Sequence, residues 1–74
     1  MNEEEFKKRW EKAQRLSKIV YIYNKTKSLL FIADDYRMRN RTDIYKDVIG
    51  QVVFLFIEGE YIGYIKLNSI YEVH

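Results

Sequence analysis

Three arginines, Arg37, Arg39 and Arg41, alternate within the polar run from Asp34 to Asp47. In an extended backbone, alternate side chains point the same way at intervals of about 6.8 Å, near the spacing of successive phosphates along a nucleic-acid strand. Tyr36 and Tyr45 flank the arginines, with Asn40 among them and Lys46 just beyond. Guanidinium groups hold phosphates and phenol rings stack bases, the two chemistries a single-strand site combines. A competing reading comes from the same run. Asp34, Asp35, Asp43 and Asp47 could pair with the arginines as a solvated ionic network.

The inventory for catalysis is poor. His74 is the only histidine and there is no cysteine, so neither a Ser-His pair nor a thiolate nucleophile or metal site is available. Asp34 and Asp35 are adjacent, and in a strand would face opposite sides. Asp43 and Asp47 share a face only if that stretch is helical, and two carboxylates without a third ligand make no metal site. Gly50, Gly59 and Gly63 form no phosphate-cradling loop. The expectation is a protein that is not an enzyme, with no cofactor, no metal and no small-molecule substrate.

With 74 residues the chain holds one domain, residues 1–74, and little room for an enclosed cavity beside its core. A net charge of +2 is too small to imply a polyanion partner by itself. The longest apolar run, Val52 to Ile57, is far short of the roughly 18 residues that cross a bilayer. The acidic opening Glu3-Glu4-Glu5 is unlike a secretory leader, so a cytoplasmic, membrane-free protein is expected.

These side chains need elements to position them. Phe6, Trp10, Ala13 and Leu16 recur at helical spacing, predicting a helix over residues 1–17, with Asn2 as its cap and Glu5 three residues on. Four acid-first pairs at i,i+4 support it: Glu3 with Lys7, Glu4 with Lys8, Glu5 with Arg9, and Glu11 with Arg15. Its narrow stripe and acidic first turn fit packing against a core or subunit better than lying on a membrane with Lys7, Lys8, Arg9 and Lys12 at lipid phosphates. Residues 18–34 read as a hairpin turning at Asn24-Lys25-Thr26-Lys27. Residues 35–49 read as a polar loop with a helical turn from Asp43 to Val48. Residues 50–74 read as a second hairpin through Glu58-Gly59-Glu60 and a closing strand at Ile70 to Val73. Both faces of the strand over 52–57 are apolar, so its second face also needs cover. The seven tyrosines suit strands, and also suit a binding surface.

Ile57-Glu58-Gly59-Glu60-Tyr61-Ile62-Gly63-Tyr64-Ile65 resembles the second motif of the Sm-like proteins, and Asp35, Met38 and Asn40 resemble part of their first. The resemblance implies a small RNA-binding barrel that assembles into rings. Asp35, Asn40 and Gly59 would then contact RNA, and strands 51–57 and 61–67 would meet neighbouring subunits. Glu58 stands where that family carries Arg, and Arg37 and Arg39 interrupt the first motif. The same C-terminal residues also resemble a Src-homology-3-like barrel, with Gly63-Tyr64-Ile65 as its fourth strand and Asn68 to Val73 as its one-turn helix and last strand. The residues for polyproline recognition are absent there.

The expected fold is therefore α+β: an N-terminal helix on a four- to five-stranded, strongly curved antiparallel sheet, Sm-like or Src-homology-3-like. The expected function is a binding module for single-stranded RNA or DNA through Arg37, Arg39, Arg41, Tyr36, Tyr45, Lys46 and Asn40. The alternative is a protein-protein adaptor or inhibitor, such as a mobile element or phage encodes. Homo-oligomerisation is compatible with either.

Overall fold

The computed structural model describes residues 1–42 and 49–74, with 40–42 and 49 placed by their backbone alone. Helix α1 (Glu3–Leu16) starts where the Asn2 side-chain oxygen accepts the Glu5 N–H at 2.8 Å. That bond satisfies one of the orphan donors of the first turn, beside three acids at the positive end of the dipole. Three of the four expected pairs form, Glu3 with Lys7, Glu4 with Lys8 and Glu5 with Arg9, the last closest at 2.8 Å. Phe6, Trp10 and Ala13 are buried. Leu16, expected on the same stripe, is 86% exposed. At about 100° per residue it lies roughly 80° round the helix from Phe6 and 120° from Trp10, so the sheets that cover those two do not reach it.

The strands are β1 (Val20–Tyr23), β2 (Leu29–Ala33), β3 (Asp35–Thr42), β4 (Ile49–Ile57), β5 (Glu60–Lys66) and β6 (Glu72–Val73), with a 3-10 turn at Leu67–Ser69 before the last. They form two antiparallel three-stranded sheets, ordered β2-β1-β6 and β3-β4-β5. The α+β class and the N-terminal helix are as expected. The single sheet of four or five strands is replaced by two sheets, and neither closes into a barrel.

The polar loop over 35–49 is the largest difference. Its first half is strand β3, which pairs with β4 from Asp35 opposite Phe56 to Thr42 opposite Ile49. Charge made this segment read as a loop, but Tyr36 and Met38 alternate with the arginines and pack against the core, which is the period of a half-buried strand. The helical turn expected from Asp43 to Val48 lies outside the described residues.

The core gathers Phe6, Trp10 and Ala13 with Val20, Ile22 and Ala33 of the first sheet and Val53 and Leu55 of the second. Leu67, Ile70 and Val73 close it from the C-terminal segment. Asp34 alone separates β2 from β3 and fastens the junction: its N–H donates to the Phe56 carbonyl at 2.9 Å, and its carbonyl accepts from the Gln14 amide at 2.7 Å. At the other end of α1, the Gln51 amide donates to Glu3 at 2.9 Å. Among the described residues, no helix is long and apolar enough to cross a membrane.

Candidate nucleic-acid interface

The second sheet has one face toward α1 and the core and one face away from them. Glu58 and Gly59 form a two-residue loop between Ile57 and Glu60, both with positive φ, 50° and 81°, as a type I′ hairpin requires. That loop sets Phe56 opposite Tyr61. One residue further, Leu55 pairs with Gly63, so Ile62 is an inserted bulge residue. Without it Tyr64 would face Val53 on the core side. With it Ile65 takes that place against the core, and Tyr64 stands opposite Phe54 on the outer face.

The outer face therefore carries an aromatic group. Phe56 and Tyr61 have ring centroids 5.8 Å apart, and Phe54 lies 6.2 Å from both Tyr61 and Tyr64. The two phenylalanines are partly buried, while Tyr61 and Tyr64 are 54% and 49% exposed. Arg37 is opposite Phe54 in the register, and Arg39 opposite Val52, which in turn faces Lys66. One end of the face is thus basic, and the other carries Asp35, opposite Phe56.

Arg37 and Arg39 emerge exposed on this face. Among the described residues neither they nor Lys66 pairs with a carboxylate. The nearby acids are engaged with backbone: the Asp34 carboxylate accepts the Glu58 N–H at 3.0 Å, and the Asp35 carboxylate accepts the Tyr36 N–H at 2.9 Å. Asn40 and Arg41 continue β3 opposite Gln51 and Gly50. Tyr45 and Lys46 lie outside the described residues.

Tyr36 stands apart from the arginines. It is on the core side of β3, with its ring edge-on to Phe6 and Trp10 at centroid distances of 4.9 and 4.7 Å. Burial, helped by the negative charges of Glu11, Glu3 and Asp35, raises its phenol above the ordinary tyrosine value. The rings that do share the arginines' face are Tyr61 and Tyr64, which sequence alone does not separate from the other five tyrosines. Strand alternation and the two-residue turn point to Tyr61, but the bulge that turns Tyr64 outward has no sequence signal stronger than Gly63.

No family model, no curated protein and no solved structure matches this chain. The chemistry of the face can be stated without them. Cations with no carboxylate partner among the described residues can bind anions, and two half-exposed phenol rings backed by phenylalanines can take flat apolar surfaces. Among the described residues no three His, Cys, Asp or Glu side chains gather as metal ligands would.

Proposed function

We propose that the protein is a non-enzymatic binding module for single-stranded nucleic acid and that the outer face of β3-β4-β5 is its binding surface. The observation that carries this reading is that Arg37 and Arg39 alternate out of β3 onto the face that presents Tyr61 and Tyr64. The backbone of a strand lies along Arg37 and Arg39 with Lys66 across the sheet, and its bases turn onto the tyrosines. Stacking of this kind is sequence-tolerant, since every base has a π-face. We also propose that the two sheets act together as a small barrel of the Sm-like or Src-homology-3-like kind. The support is that Asp34 alone links β2 to β3, and that Phe31 of β2 packs over Gly63 of β5.

Fluorescence anisotropy with labelled single-stranded RNA and DNA of about 10 nucleotides, within the site sizes such surfaces cover, tests the proposal. Binding that weakens with salt at a log-log slope near −2, about −0.7 for each of three phosphate contacts, is expected. No detectable binding at about 50 mM salt, where phosphate contacts are strongest, defeats it.

A further inference from the structure

We propose that the groove beside the C-terminal half of α1 is a docking site for an acidic, apolar peptide segment of a protein partner. Leu16, the last residue of α1, is 86% exposed. Beside it lies a groove of about 460 Å³ whose apolar lining is Ala13, Leu16, Ile19, Tyr21 and Val73. That volume falls within the roughly 300 to 1,000 Å³ of ligand-binding clefts. The groove involves none of the residues of the β3-β4-β5 face.

Charge selects the occupant. Arg9, Lys12 and His74 also line the groove. Arg9 is paired with Glu5 at 2.8 Å and His74 lies 3.7 Å from Glu72. Among the described residues Lys12 has no carboxylate partner, and neither have Arg15 and Lys18. Between residues 9 and 18 the sequence holds four cations, Arg9, Lys12, Arg15 and Lys18, against the single carboxylate Glu11. A second copy laid across the groove on a twofold axis would bring these cations face to face, which like-charge repulsion opposes. A nucleic acid would supply negative charge but would leave the four aliphatic side chains, Ala13, Leu16, Ile19 and Val73, without an apolar partner beside the rings of Tyr21 and His74. A segment that sets Leu or Ile between Glu or Asp residues meets both the aliphatic floor and the basic rim.

The test is a titration of the isotopically labelled full chain with two synthetic peptides, followed by backbone amide shifts. Both carry the same helical spacing of leucines; one has Glu at the polar positions and the other Lys. Saturable shifts at Leu16, Ile19, Tyr21 and Val73 with the Glu peptide alone are expected. Leu16→Asp and Lys12→Glu should each weaken that binding about tenfold or more, as loss of an apolar contact or reversal of a rim charge does. Leu16 is already in water, so Leu16→Asp leaves the fold intact, and circular dichroism checks this. Equal response to both peptides, no shifts at these residues, or the same shifts from raising the protein concentration alone would overturn the proposal. The last outcome would assign the groove to a second copy.

Discussion

Tyr36 and Arg37 are adjacent in the chain and lie on opposite faces of β3. Tyr36 faces Phe6 and Trp10, and Arg37 stands opposite Phe54 on the far side. Stability and binding are therefore separable within one dipeptide. Tyr36→Ala should cost about 2 kcal/mol, less than a fully buried aromatic because the ring is only partly covered. Arg37→Ala should change stability by no more than about 0.5 kcal/mol while lowering the salt slope of nucleic-acid binding by about 0.7. Denaturant melts and anisotropy on the two variants check this; a large stability loss for Arg37→Ala would contradict the placement.

The raised phenol of Tyr36 gives a pH dependence with a definite sign. The unfolded chain loses this proton near pH 10, while the folded protein holds it to higher pH. Above pH 10 the unfolded state binds fewer protons than the folded one, so stability falls as pH rises. This contribution is fully present below about pH 10 and is lost as pH climbs through the folded-state value. Comparing wild type with Tyr36→Phe between about pH 9 and pH 11.5 isolates the group from the other tyrosines and lysines. The wild type should lose stability relative to the variant over that range, and parallel curves would contradict the burial of the phenol.

Phe31 and Gly63 bring β2 against β5. A Cβ at Gly63 would lie 2.8 Å from Cε1 and 3.0 Å from Cζ of Phe31, and the backbone there has φ of 147°. Gly63→Ala should therefore destabilise by about 1 to 3 kcal/mol through both strain and overpacking. The double variant Gly63→Ala, Phe31→Leu should cost less than the sum of the two single changes, since the smaller side chain relieves the clash. Additive costs would show that the two residues do not touch.

Local interactions were legible in the sequence, and shifts of register were not. Asn2, Phe6, Trp10 and Ala13 announce α1 because cap and stripe are both short-range patterns. The Glu58-Gly59 turn is equally local. β3 reads as a loop in sequence because its charge, Arg37, Arg39 and Asp35, belongs to loops by composition, and only its partner β4 makes the alternation of Tyr36 and Met38 meaningful. Leu16 belongs to the apolar stripe by spacing yet is exposed, because the stripe says nothing of where the covering sheets end. Sequence offers all seven tyrosines as a binding surface but does not separate Tyr61 and Tyr64 from the rest, because the inserted Ile62 decides which face Tyr64 takes, and a bulge is settled by packing on both sides of the sheet.

The Asp34 carboxylate holds the start of the β4-β5 turn through the Glu58 N–H at 3.0 Å. Asp34→Ala should cost about 1 to 2 kcal/mol, at the low end for a charge-assisted bond because the site is partly solvated. Asp34→Asn, which keeps an accepting oxygen, should recover about half. Thermal melts decide, and equal loss for both variants would point to the charge rather than the bond.

Tyr61 and Tyr64 carry the account of function most directly. Binding of a labelled single strand by Tyr61→Ala, by Tyr64→Ala and by both together is the deciding measurement. Each single change should weaken binding by about 1 to 3 kcal/mol, roughly five- to 150-fold, while costing only about 1 kcal/mol of stability because both rings are half in water, so the protein stays folded at the assay temperature. Undiminished affinity in the double variant would contradict a base-stacking surface on β3-β4-β5.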